Sequence, residues 1–186
     1  SNTERVTVVV NPAPMITISN DTVICEGETA LMQFELRGTS PWTVYYNNGV
    51  GNHKSIEVNT ATYIEPLTLI KDTIINFVEL VDGSGCRTQL SRTYHVIVNP
   101  ITQGANLTDF VYCAGDQTID YDFMCSNVSI NTAHEWQLIA GSNCGLPSGN
   151  GMDRIPAFQA SNGGHEPENS EYHLISTYTE HGVSCS

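Results

Sequence analysis

The feature that most limits how this chain can fold is an internal repeat. Val8-Val9-Val10-Asn11-Pro12 returns as Val96-Ile97-Val98-Asn99-Pro100, so the two Asn-Pro pairs stand 88 residues apart. Thirteen residues after each proline comes a cysteine, Cys25 and Cys113, again 88 apart. Each cysteine opens a matching tetrad, Cys25-Glu26-Gly27-Glu28 and Cys113-Ala114-Gly115-Asp116. Agreement at several points in one register implies a tandem of related domains. The length fits, since 186 residues suit two domains of roughly 80–100 residues each.

Proline removes a ladder donor and fixes φ, so each Asn-Pro ends a strand and begins a linker. On that punctuation, residues 1–12 read as the last strand of a preceding domain, 13–100 as one full unit and 101–186 as a second. Cys86 is followed by 14 residues to Pro100, including the run Thr93-Tyr94-His95-Val96-Ile97-Val98, whereas one residue follows Cys185. The second unit is therefore expected to lack its final strand.

Within each unit, short runs rich in Val, Ile, Thr and aromatics are bounded by turn residues. Thr29 to Leu36, Trp42 to Tyr46, Ser55 to Val58, Thr73 to Leu80 and Tyr94 to Val98 are the expected strands of the first unit. Thr118 to Phe123, Thr132 to Ile139, Ile155 to Ala160 and Tyr172 to Tyr178 are those of the second. No window holds apolar residues at helical spacing. The expected fold is all-β: tandem antiparallel immunoglobulin-like β-sandwiches.

Six cysteines allow 15 pairings. The repeat register suggests Cys25–Cys86 across the first sandwich and, by equivalence, Cys113–Cys185 in the second. Cys125 and Cys144 fall in an apparent insertion and are expected to pair locally. Zinc is disfavoured because no Cys-x-x-Cys or Cys-x-x-His pair occurs. Disulfides imply an oxidising, extracytoplasmic location.

Charge narrows the partners. The chain carries 7 Lys+Arg against 20 Asp+Glu, a formal −13. That balance argues against nucleic acid and anionic membranes, which attract clustered basic residues. Most of it lies after residue 100, where Arg154 is the one base against ten acids. No apolar run is long enough to insert in a membrane, and any export signal is expected outside this stretch.

The repeat edge V-x-V-N-P-x-P, the I-C-E-G-E-T-A start, the S-P-W-T-V strand and the D-G-S-G-C corner resemble the Ig-like repeats of large Bacteroidota surface proteins. The second unit resembles their PKD-like domain. The matching stretches there are Val111 to Asp116, the strand around Trp136, and Gly149-Asn150-Gly151 running into Ile155 to Asn162. The resemblance covers nearly the whole chain after residue 5 and implies long arrays exported by the type IX secretion system, including gliding-motility adhesins of the SprB type. Cys125 and Cys144 are an addition to that pattern. The resemblance further implies O-glycosylation at Asp-Thr-aliphatic signals, which are Asp21-Thr22-Val23 and Asp72-Thr73-Ile74 here. Asn-x-Ser/Thr sequons stand at Asn20, Asn106 and Asn127, where a bacterial source usually leaves them unmodified.

No catalytic motif is present: no Gly-x-Ser-x-Gly, no His-Glu-x-x-His and no phosphate-cradling glycine loop. His165, Glu166, Glu168 and His173 can be drawn as a metal cluster, though a polar hairpin loop is the simpler account. Asp109, Asp116, Asp120 and Asp122 could supply oxygens to calcium, which needs six to eight, against the simpler account of a solvated acidic face. Trp42 and Trp136 occupy the position that packs on an inter-sheet disulfide in immunoglobulin-like sandwiches. Tyr45-Tyr46 is expected to put one ring inward and one outward.

The sequence thus points to a non-enzymatic structural and adhesive segment of a multidomain bacterial cell-surface protein. Its partners would be neighbouring domains of the same chain, surface glycans or host and substratum proteins, and the secretion machinery during export. The alternative is a non-catalytic carbohydrate-binding accessory module of a secreted glycosidase, which needs exposed aromatics such as Tyr45 or Trp136.

Overall fold

The computed structural model describes residues 3–47, 53–104, 108–128 and 130–186. They fall into two units, Ser1–Val98 and Asn99–Ser186. Both are built of antiparallel strands and turns, and among the described residues no helix is long and apolar enough to cross a membrane.

Unit 1 carries β1 (Met15–Ile18), β2 (Thr22–Cys25), β3 (Thr29–Arg37), β4 (Trp42–Asn47), β5 (His53–Val58), β6 (Thr62–Thr68), β7 (Thr73–Asp82), β8 (Arg87–Gln89) and β9 (Thr93–Asn99). One sheet has the order β1-β3-β6; the other runs β2-β9-β7-β4-β5, with β8 also on β7. Lettered by chain order, these are A-B-E against A′-G-F-C-C′, the immunoglobulin-like arrangement. Strict alternation makes the core: every second residue of β3 is buried, placing Ala30, Met32, Phe34 and Leu36 inward. From the facing sheet come Val44 and Tyr46 of β4, Ile75, Phe77 and Leu80 of β7, and Tyr94 and Val96 of β9. Phe34 meets Phe77 edge-on at 5.7 Å, an arrangement suited to the ring quadrupoles. β6 is not among the expected strands; it contains Pro66, and at the edge of its sheet the missing N–H breaks no ladder bond.

Unit 2 carries β10 (Tyr121–Asp122), β11 (Thr132–Gly141), β12 (Asn150–Met152), β13 (Arg154–Ile155), β14 (Ser170–Glu180) and β15 (Val183–Cys185). Its main sheet is β12-β11-β14-β15, the counterpart of β5-β4-β7-β8. The opposing layer is looser. The expected strands Thr118–Phe123 and Ile155–Ala160 shrink to β10 and β13, although pairing continues irregularly through the Gln117–Gln159 bridge and the bond from Phe123 N to Asp153 O. The Gly104–Cys125 bridge occupies the place of the β1–β3 ladder, whose Met15–Arg37 pair lies 88 residues earlier to within one position. The buried cluster is small: Phe123, Trp136 and Leu146, with Tyr121, Ile155, Phe158, Tyr172 and Leu174 packed around it.

Candidate functional site

The tetrads that reveal the repeat fold into one turn, used twice. Cys25 N donates to the Glu28 carboxylate and Glu28 N to Cys25 O. In unit 2, Cys113 N donates to the Asp116 carboxylate at 2.8 Å and Asp116 N to Cys113 O. The third residue has positive φ in both, +82° at Gly27 and +96° at Gly115, which glycine alone adopts without a Cβ penalty. Each glycine N–H then donates to a carbonyl just past a paired stretch, to Leu69 O after β6 and to Ala160 O after the Gln117–Gln159 bridge.

These turns also fix where the cysteines sit, and the expected pairings do not form. Cys25 and Cys185 are the disulfide-bonded cysteines, whereas Cys86, Cys113, Cys125 and Cys144 are free thiols. The reason is the same for all three expected pairs: their members lie at opposite ends of a unit. The Cys25 turn is tied to Leu69, ahead of β7, while Asp82 N at the far end of β7 donates to Cys86 O. β7 has ten residues, and a strand of that length spans about 33 Å, against about 6 Å between the Cα atoms of a disulfide. In unit 2, the Cys113 turn meets Ala160, whose neighbour Ser161 donates to Cys144 O beyond the Gly141 end of β11. Cys185 pairs with Tyr178, which faces Thr132 at the other end of β11. Cys125 is likewise remote from Cys144. It belongs to no insertion, since its bridge to Gly104 is part of the repeated ladder.

The ionisable candidates do not converge. Asp116 caps its own turn, and Asp120 accepts from Ala157 N while its other oxygen lies 3.6 Å from Arg154. Glu168 accepts from the Ser142 hydroxyl, and His165 and Glu166 sit in an exposed bend. Among the described residues no group of three His, Cys, Asp or Glu side chains is placed to hold a metal ion. The most densely bonded carboxylate is one the motif survey passed over. Asp82 is buried and accepts from Thr39 N, Ser84 N, the Ser84 hydroxyl and Cys86 N. The Ser84 hydroxyl chiefly, then the backbone donors, hold its carboxyl below the usual aspartate range. An Asp followed by Gly-Ser-Gly is the sequence signal of such a side-chain-closed turn.

The aromatics divide. Tyr46 is buried and Tyr45 exposed. Tyr46 donates toward Glu65, and burial first, then that carboxylate, pushes its phenol up to about 12. Trp42 is buried beside Asp82 and Gly38 with no disulfide beneath it, contrary to expectation, because Cys25 lies at the other end of the sheet. Trp136 is 4% exposed; its indole N–H donates to Arg154 O, and its ring lies under Gly151. It forms the floor of an open hollow of about 320 Å³ with Leu146, Pro147, Met152 and Pro156. With the ring edge buried, Trp136 offers no stacking platform for a sugar.

The glycosylation candidates have structural employment nearby. Asp21 and Asp72, preceding Thr22 and Thr73, accept from His95 N and Val98 N and so hold β9 from two sides. The Thr73 hydroxyl donates to Lys71 O. Asn127 is tied to Gln103 and Ile101 through its carboxamide, and Asn106 lies outside the described residues.

No family model matches the chain, and no curated protein matches it. Solved structures do. One is a Dpr11 immunoglobulin domain bound to DIP-gamma, at 10% identity and TM-score 0.37, covering 87% of this chain and 96% of that one. Another is a variant of three titin immunoglobulin domains, at 12% identity and TM-score 0.43, covering 88% of this chain and 65% of that one.

Proposed function

We propose that this chain is a spacer and ligand-presenting segment of a large multidomain protein on the bacterial cell surface, serving adhesion or gliding motility. The observation that carries the reading is the repeated Cys-x-Gly-acid turn, closed by the same three hydrogen bonds at positions 88 residues apart. A turn duplicated with its bonding intact belongs to a modular array, in which many weak contacts add through multivalency. Disulfide-bonded Cys25 and Cys185 fit an oxidising exterior. Candidate partners are surface glycans or substratum proteins, and Thr22 and Thr73 are candidate O-glycosylation sites.

The test is antibody labelling of intact source cells with serum raised against this chain. Surface labelling before permeabilisation is the expected result, and labelling only after permeabilisation would refute the reading. Mass spectrometry of the same native protein reads out hexose-bearing peptides at Thr22 and Thr73.

A further inference from the structure

We propose that the cleft between β5 and β6 in unit 1 binds a terminal acidic sugar, one pyranose ring carrying one carboxylate, with Lys54 and Lys71 receiving the carboxylate. The site rests on the ligand-presenting reading above and names the ligand class for it. β5 and β6 are the outermost strands of their sheets, and the two layers part between them. The opening holds about 360 Å³, within the range of roughly 300–1,000 Å³ usual for small-molecule sites. Leu67 and Ile75 belong to its apolar lining and suit the C–H face of a sugar ring. Charge marks the same place. Lys54 and Lys71 are the only lysines of the chain, and both line the cleft, Lys54 from β5 and Lys71 from the β6–β7 connection. Both are exposed, and among the described residues neither ammonium has a carboxylate within ion-pair distance. The Thr73 hydroxyl donates to Lys71 O and fixes the backbone at that lip.

In a chain of formal charge −13, two unpaired cations at one opening concentrate attraction for a small anion there. The same −13 holds the ligand's charge to one, because a polyanion long enough to leave the cleft meets an acidic surface. The ring hydroxyls have partners in the same cleft. Glu65 lines it and accepts from Tyr63 at 2.9 Å and from Tyr46 at 3.4 Å. The second bond is long against the usual spacing of about 2.7–2.8 Å for hydroxyl donors. Yet Tyr46 is 1% exposed, so the protein alone serves this buried hydroxyl poorly. Burial and Glu65 push its phenol up to about 12, which keeps it protonated and a donor at neutral pH. A carboxylate has about four lone-pair directions, and two phenols leave Glu65 free to accept from neighbouring sugar hydroxyls. Two ammonium donors, a carboxylate acceptor and a phenol at one opening match a ligand that is polyol and acid at once. A simple carboxylate engages the lysines alone.

The experiment uses the whole chain, made without glycosylation because Thr73 stands at the lip. It is titrated with the methyl glycosides of glucuronate, galacturonate and N-acetylneuraminate. Methyl glucoside and methyl galactoside are the uncharged controls, and acetate is the bare anion. Nitrogen-15 amide shifts of Lys54, Glu65 and Lys71 read occupancy. At least one acidic glycoside should saturate these shifts, binding roughly tenfold or more tighter than acetate or either uncharged sugar. Lys54→Gln and Lys71→Gln, both at exposed positions, should each weaken it by roughly tenfold, and Tyr46→Phe by roughly threefold to tenfold. Arg37→Gln removes the same charge at the far end of β3 from the Thr29–Thr68 pair and should leave binding unchanged. Failure of all three acidic glycosides to saturate overturns the proposal, as does binding no tighter than that of acetate or the uncharged sugars. Binding that survives both lysine substitutions, or that falls equally in Arg37→Gln, overturns it too. Surface labelling of intact cells is untouched by any of these results, so the array reading stands or falls separately.

Discussion

The two units follow one plan, yet they differ in how much core that plan buries. Among the described residues, unit 1 has a cluster of fifteen buried apolar residues and unit 2 one of three. β9 accounts for part of the difference, contributing Tyr94 and Val96 directly and bringing β2 with Ile24 against the sheet. Their main turns differ as well. The β7–β8 turn closes around a buried Asp82 carboxylate, whereas the β14–β15 turn is gripped by Asn99, whose carboxamide donates to Glu180 O and Val183 O. The lesson is that a strand set inside a sandwich sheet contributes more than its own side chains, because the next strand out pairs through it.

Matched truncations test the comparison most severely. Phe34→Ala removes a fully buried ring from the interleaved core of unit 1 and should cost about 3–5 kcal/mol. Phe123→Ala in unit 2, where the surroundings are sparser and can collapse, should cost distinctly less. Each unit holds one tryptophan, Trp42 or Trp136. Single-tryptophan variants therefore report the urea unfolding of each unit separately. Equal losses would mean that the small cluster of unit 2 is as tightly packed as the large one.

Acid should separate the units next. Hydrogen bonds from Ser84 and from backbone donors lower the Asp82 pKa in the folded state. Its contribution is therefore fully present above the unfolded carboxylate value of about 3.9 and is lost as pH falls through the depressed folded value. Asp82→Asn should flatten the acid arm of unit 1, read by Trp42 fluorescence, and leave that of unit 2 unchanged. Tyr46 has the opposite sign. Its phenol is raised to about 12 by burial and by Glu65, so its contribution holds below the unfolded value of about 10 and disappears between there and about 12. An alkaline arm that persists in Tyr46→Phe would assign the effect to another group.

The all-β class was legible because alternation is a local property: TALMQFEL alone announces β3. The duplication was legible because turns need particular residues at particular places. The cysteine pairing was not, since sequence register says which positions correspond and nothing about which end of a strand they occupy. β6 contains Pro66, which is harmless at a sheet edge but no signal of a strand, and the expected strands around β10 and β13 are longer than those observed because the irregular pairing there carries ordinary strand residues. The site that organises the unit 1 turn, Asp82, was visible as Asp-Gly-Ser-Gly but read only as a place where the chain reverses.

A smaller effect concerns the core of unit 2. A Cβ on Gly151 would stand 2.5 Å from the Trp136 ring, too close for any real contact. Gly151→Ala should therefore push the indole off its bond to Arg154 O and cost roughly 1–3 kcal/mol, the usual range for overpacking. A blue-shifted Trp136 emission that stays unchanged in the variant would show that β12 moves instead of the ring.

The smallest expected effect is the most direct test of the duplication. Gly27→Ala and Gly115→Ala each place a Cβ where nothing lies within 4 Å, so neither meets a steric obstacle from a neighbour. What remains is the penalty for an L-residue at positive φ, roughly 1–2 kcal/mol. If the two tetrads are one turn used twice, the two substitutions should cost the same, each in its own unit, despite the difference in core size around them. A penalty at Gly27 with none at Gly115 would mean that the unit 2 turn relaxes freely. The 88-residue register would then have preserved a sequence there without preserving the work the turn does.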